Sequence, residues 1–186
     1  PSQIDAEQWI RSAKDAGMKY VILITKHHDG FCLWDSKYTE YDVASSGNHT
    51  DVVEAVAKAC KKYGIGLGLY YSLWDRHEPC YQDEDKKVYI QYMKNQLQEL
   101  MTSYGPVHEL WFDGAWDRKT EDWHLQEVYD LVKSMQPDCQ ISTNWTIGKR
   151  PVDMQEGDSI IYFPSDFRLW DPFLPVLMIL KFIHTA

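Results

Sequence analysis

Cysteine pairs are missing from this sequence. Cys32, Cys60, Cys80 and Cys139 stand far apart with no C-x-x-C, so neither a zinc knuckle nor a dithiol redox motif is encoded. Four cysteines in 186 residues do not make a disulfide scaffold either, and they leave the redox compartment open. Long apolar runs are missing too. The longest, over 173–183, is broken by Pro175 and Lys181 and falls short of the roughly 18 residues that a membrane-spanning helix needs. Positive charge is scarce: 19 basic against 28 acidic side chains leave a net −9. That balance gives no electrostatic footprint for phosphate backbones or anionic membranes, so nucleic acid is not an expected partner. The chain starts at Pro1 with no signal-peptide pattern, so any native start is expected to have been removed or to be absent.

What is present is an ordinary globular balance, 44% hydrophobic and 14% aromatic, too apolar for disorder. Ala6, Trp9, Ile10, Ala13 and Ala16 recur at helical spacing ahead of Gly17. Residues 20–25 form a continuous apolar run of the kind found in strands buried on both faces. A capping pair, Asp51 and Glu54, opens a second helix over 51–63, followed by a strand over 65–71. A long helix over 83–104, a strand over 108–113, a helix over 121–135 and a strand over 139–143 complete the pattern. Such alternation predicts an α/β domain with a parallel sheet. Two closures fit, an open doubly wound sheet or a (β/α)8 barrel. The open nucleotide-binding form carries Gly-x-Gly-x-x-Gly in its first strand-to-helix turn, whereas Gly66 and Gly68 lie inside a strand here. Polar residues gather instead at the C-terminal ends of three strands, where a barrel builds its site. The sequence therefore favours a TIM-like barrel, of which four strands and four helices make an incomplete portion. A partial catalytic domain is expected over 1–175, with loops over 142–175 and an atypical apolar tail over 176–186.

Three strand ends could carry chemistry. The first is Lys26-His27-His28-Asp29-Gly30-Phe31. Alternation along a strand places Val21, Leu23, Thr25 and His27 on one face and His28 on the other. A zinc site on a strand wants His-x-His, which brings both rings to one face, so adjacent histidines argue against a metal. The two imidazoles are expected to donate hydrogen bonds to sugar hydroxyls. A metal-dependent barrel hydrolase drawing on His27, His28, His49, His77 and Asp113 is the alternative. At the second strand end, alternation turns Gly66, Gly68, Tyr70 and Ser72 to one side, where small residues leave room and a phenol meets a polar ligand. The third is Leu110-Trp111-Phe112-Asp113-Gly114. An acid that ends an apolar strand beside Trp111 is a candidate nucleophile or general base, with Gly114 letting a substrate approach the backbone. The alternative is an Asp that caps the following turn.

The run from Ala16 through Lys26-His27-His28-Asp29-Gly30-Phe31, with Gly68-Leu69-Tyr70-Tyr71-Ser72 and Leu110-Trp111-Phe112-Asp113-Gly114, resembles the α-L-fucosidases of glycoside hydrolase family 29. The likeness runs from about Asp5 to Gly114 in order and spacing, and 163–172 is similar to a stretch of bacterial members. The resemblance implies a (β/α)8-like barrel and retaining hydrolysis of terminal α-L-fucose from a fucosylated oligosaccharide or glycoconjugate, with no cofactor. It matches Asp113 to the nucleophile and His27 and His28 to a pair that binds fucose hydroxyls. Tyr70 or Tyr71 matches a pocket tyrosine, strand alternation favouring Tyr70, and Trp34 and Trp116 match aromatic pocket positions. Glu156 is the candidate acid/base and Asp158 the next choice. The family's first strand would precede Pro1 and its later strands are absent. The chain is therefore expected to be a piece of such an enzyme, with little or no turnover alone and with bare sheet edges that favour self-association. A fucose-binding module with no second carboxyl in reach is the other reading. The resemblance points to a periplasmic, secreted or lysosomal location without choosing among them.

Overall fold

A computed structural model describes residues 4–114, 123–144 and 164–169 of the chain. Helices α1 (Ala6–Asp15), α2 (Val52–Tyr63), α3 (Lys87–Ser103) and α4 (Leu125–Met135) alternate with strands β1 (Tyr20–Lys26), β2 (Gly66–Ser72), β3 (Glu109–Asp113) and β4 (Gln140–Asn144). A three-residue strand β5 (Phe167–Leu169) follows, inside a stretch expected to be loops; three residues are too few for a period to show in sequence. The strands lie side by side in chain order, and each neighbouring pair is parallel. A doubly wound sheet reverses direction at a switch point, and among the described residues the strand order shows no reversal. Since crossovers between parallel strands are right-handed, a sheet that never reverses carries its helices on one face.

Local chemistry explains the boundaries. Asp51 accepts a hydrogen bond from the Glu54 backbone N–H at 2.7 Å and so starts α2, a cap that contributes about 1 kcal/mol. The helix expected from residue 83 begins later. Pro79–Gln82 forms a 3-10 turn capped by Glu78, and Asp85 accepts the Lys87 N–H at 3.0 Å where α3 starts. Leu67, Leu69, Tyr71, Leu110, Phe112 and Ile141 point from the sheet into a core shared with Val53, Val56, Met93, Leu97, Leu100, Val128 and Val132 of the helices. The alternate positions Tyr70, Ser72, Trp111, Asp113, Ser142 and Asn144 face the other way, and most of them are buried.

Gly68 does not leave room for a ligand. A Cβ there would meet Ile22 at 2.8 Å, so the glycine lets β1 pack against β2. All four cysteines are free, and burial pushes the Cys32 and Cys139 thiols up to about 12, which makes them packing residues rather than nucleophiles. Among the described residues no helix is long and apolar enough to cross a membrane.

At the C-terminal end of the sheet, on the helix side, Lys26 and Asp75 form a buried ion pair at 2.9 Å with 0% and 1% of their side chains exposed. The ammonium also lies 4.3 Å from the centroid of the Tyr71 ring. Asp75 Oδ1 accepts the backbone N–H groups of His77 and Glu78 at 3.0 and 2.9 Å, fixing the loop that follows β2. Burial alone would raise the Asp75 carboxyl, but Lys26 and these two N–H groups outweigh it and hold the group below its ordinary 3.8. Its contribution to stability is therefore complete above about pH 4 and is lost as the pH falls through the lowered value. Removing one partner of such a pair strands a buried charge. Asp75→Asn is expected to cost roughly 3–5 kcal/mol in urea unfolding, with part of the acid limb of the stability curve disappearing; a loss under about 1 kcal/mol would show that the pair is not held as described.

Candidate active site

The polar cluster sits where β1, β2, β3 and β4 end. Parallel register aligns Ser72 with Asp113 and Phe112 with Thr143, so side chains two residues apart on neighbouring strands converge there. Tyr70 Oη donates to Asp113 Oδ2 at 2.7 Å from β2, and Asn144 Nδ2 donates to Asp113 Oδ1 at 3.1 Å from β4. Each carboxylate oxygen thus accepts a hydrogen bond from a different neighbouring strand. The carboxylate is nearly enclosed, with 7% of its side chain exposed, and its Oδ2 lies 4.0 Å from His28 Nε2.

The histidines reach this point because β1 stops alternating. Its register against β2 shifts between Ile24 and Lys26, and the strand ends at Lys26. The expectation that His27 and His28 face opposite sides assumed an unbroken strand. Instead a turn closed by the Gly30 N–H to the His27 carbonyl (3.0 Å) brings both rings together, with centroids 4.0 Å apart. His27 stacks on Tyr70 at 5.7 Å, and His28 lies against Trp74 at 5.3 Å. Asp29 turns away to accept the Phe31 N–H at 3.2 Å.

His28 Nδ1 is 2.7 Å from Ser72 Oγ, and that hydroxyl donates to the Trp74 carbonyl at 2.7 Å. Gly114 closes the arrangement. Its φ of +94° and the 2.9 Å between its would-be Cβ and the Trp74 nitrogen leave no place for a side chain, so the space assigned to a substrate is filled by the protein.

Other positions named from sequence lie elsewhere. Tyr71 turns to the helix side, where its hydroxyl donates to Gln96 at 2.7 Å, so of the two tyrosines only Tyr70 meets Asp113. Trp34 is not brought to the cluster. It is fully buried and its indole N–H donates to Glu99 of α3 at 3.0 Å, because the loop after β1 bridges back through Cys32 and folds the ring inward. Trp116, Glu156 and Asp158 fall outside the described residues. Two members of the cluster were missed. Asn144 ends a strand whose sequence gave no reason to single it out. Trp111, read from sequence only as a neighbour of Asp113, packs edge-on against Tyr70 at 5.1 Å and buries an indole N–H that has no hydrogen-bond partner among the described residues.

Among the described residues no three His, Cys, Asp or Glu side chains converge as metal ligands would. A cleft of about 600 Å³ does exist, but it lies at the opposite end of the sheet, between Lys19, Lys58, Gly64, Gly66 and His108, away from this cluster.

Burial, with the neighbouring His27, disfavours the imidazolium form of His28; Arg76 acts in the same direction, while Asp113 and Asp29 oppose it, and the net effect lowers the group below its ordinary 6.5. The neutral ring is therefore the form the fold favours. Its stabilisation is complete above pH 6.5 and is lost as the pH falls through the lower folded-state value. Titration of the His28 ring by NMR is expected to show a midpoint below 6.5, and a midpoint at or above that value would contradict this environment.

Comparison with known proteins identifies the family. A sequence model described as Alpha-L-fucosidase matches residues 1–162. A relative named Alpha-L-fucosidase 1 from Arabidopsis thaliana is 44% identical over 146 residues, covering 76% of this chain and 28% of its own length. Among solved structures, a glycoside hydrolase 29 family member from an unknown rumen bacterium superposes with a TM-score of 0.70 at 39% identity, over 77% of this chain and 29% of that one. An alpha-L-fucosidase from Bacteroides thetaiotaomicron gives 0.71 at 37% identity, over 76% of this chain and 34% of that one. The chain thus spans about a third of the length of these relatives or less.

Proposed function

The chain belongs to the alpha-L-fucosidase family, and from that premise we propose that it carries the nucleophile of a barrel enzyme that releases terminal α-L-fucose with retention of configuration. The observation that carries this reading is the Asp113 carboxylate, held through both oxygens by Tyr70 and Asn144 and facing His28. The singly wound order of the sheet is what a (β/α)8 barrel requires of its strands, and the C-terminal strand ends are where such a barrel does its chemistry.

In the proposed reaction an Asp113 oxygen attacks the anomeric carbon as the bond to the aglycone oxygen breaks. The departing oxygen takes a proton from a second carboxyl, leaving a fucosyl ester on Asp113. The same second group, now a carboxylate, takes a proton from water, whose oxygen attacks the anomeric carbon and frees Asp113. Retaining enzymes hold the two carboxyl groups about 5–5.5 Å apart. Glu156 is the proposed second carboxyl, with Asp158 as the alternative. His27, His28 and Tyr70 supply the polar contacts to the sugar, and Trp74 and Trp111 supply apolar faces beside them.

Pre-positioning matters here because the nucleophile must already point at the reacting carbon when the sugar arrives. Hydrogen bonds from two strands to one carboxylate leave it little freedom to rotate. In a protein that includes this chain, Asp113→Gly is expected to lower kcat on a chromogenic α-L-fucoside by a factor on the order of 10³ or more, with fucose still bound in titration calorimetry. The first-formed fucose, followed by NMR, is expected as the α anomer. Binding of fucose without hydrolysis in the unsubstituted protein would favour the binding-module reading, and β-fucose as first product would remove the covalent intermediate.

A further inference from the structure

The hydrogen atoms of the Ser72 contact can be assigned by counting donors. Ser72 Oγ has one proton. The Trp74 carbonyl, 2.7 Å away, can only accept, so that proton points to it. If the serine pointed at the histidine instead, two lone-pair-bearing oxygens would face each other at 2.7 Å in a site where Ser72 is fully buried, at a desolvation cost with nothing to offset it. His28 Nδ1, 2.7 Å from the same oxygen, must then be the donor. A neutral ring that carries its proton on Nδ1 has a lone pair on Nε2, the nitrogen 4.0 Å from Asp113 Oδ2.

We propose that Ser72 is a positioning residue that fixes His28 as the Nδ1–H tautomer, so that Nε2 presents an acceptor beside Asp113 to a hydroxyl donor of the ligand. This deepens the fucosidase reading and reverses the polarity that the sequence suggested for His28, from donor to acceptor. It also protects the carboxylate. With the proton on Nε2, the ring would turn the positive end of its N–H dipole toward Asp113 Oδ2, 4.0 Å away, the oxygen that already accepts from Tyr70. Among the described residues the charged and titratable groups that act on the ring are His27, Asp29, Arg76 and Asp113, and Asp113, which lies on the Nε2 side, favours a proton there. Ser72 opposes that pull by offering Nδ1–H a buried acceptor whose own proton is already committed.

The test is the tautomer itself, read by two-bond 15N–1H correlation on histidine-labelled 186-residue chain above pH 6.5, without ligand. The unsubstituted protein is expected to show His28 protonated on Nδ1 and bare on Nε2. Ser72→Ala is expected to move most of the proton to Nε2, and Ser72→Cys, which keeps a weak acceptor, to give an intermediate mixture. An Nε2–H tautomer in the unsubstituted protein overturns the proposal even if neither variant folds, as does an unchanged tautomer in a folded Ser72→Ala. Calorimetry with L-fucose on a protein that includes this chain, with and without the substitution, is the second arm: loss of one well-placed hydrogen bond is expected to weaken binding about tenfold in Ser72→Ala, and equal affinity overturns the acceptor role. Fucose binding to neither protein would count against the fucosidase reading, with the Ser72 assignment decided separately by the spectrum.

Discussion

A carboxylate that is nearly buried must have its oxygens satisfied, and the strand ends of this protein are arranged around that requirement. Asp113 cannot meet it from its own strand. The donors come from β2 and β4, one on each side, and they reach it because the three strands are parallel and in a register that pairs Ser72 with Asp113 and Phe112 with Thr143, so that Asn144 lies beside the acid and Tyr70 reaches it from two residues earlier on β2. Sheet order, register and carboxylate are therefore one construction. A one-residue slip of β2 would send Tyr70 to the helix side and bring Tyr71, now in the core, toward the acid.

Behind this site lies a second polar construction, on the helix side of the same strand ends. Lys26 and Asp75 pair in the core, and Asp75 ties down the loop that carries Trp74 and Arg76. The Arg76 N–H donates to the His28 carbonyl at 3.0 Å, so the β1 turn and the β2 loop are stitched together above the sheet. Gly30 sits under Asp75, where any Cβ would collide with its Oδ1. The histidines are thus held from both sides: by Asp75 and its loop through the backbone, and by Ser72 through the ring. A neutral His28 places no counter-charge of its own beside Asp113, which suits the nucleophilic role proposed for that carboxylate.

Much of this was legible in the sequence, and the parts that were not share a cause. Helix caps such as Asp51 and the parallel alternation depend on local patterns, and they emerged within a few residues of expectation. Asp113 stood out because an acid that ends an apolar strand has few structural excuses. Tyr70 was separable from Tyr71 by alternation alone. Alternation failed at His27 and His28 because it cannot see a register shift, which belongs to the pairing of two strands rather than to either one. Trp34 looked like a pocket wall because its motif ends beside the histidines, yet a loop that folds back can bury a tryptophan whatever precedes it. Asn144, Asp75 and the buried role of Lys26 are long-range pairings, and a single sequence carries no record of them.

The central claim, that Asp113 is the atom-to-atom partner of the sugar, is tested most directly by trapping it. A 2-fluoro fucosyl fluoride has a leaving group that departs without a proton donor, and its fluorine slows the second step by destabilising the oxocarbenium-like transition state. Mass spectrometry of peptides from a protein that includes this chain should then show one fluorofucosyl adduct, on Asp113, and none in Asp113→Ala. An adduct on any other carboxylate, with Asp113 unmodified, would contradict the account.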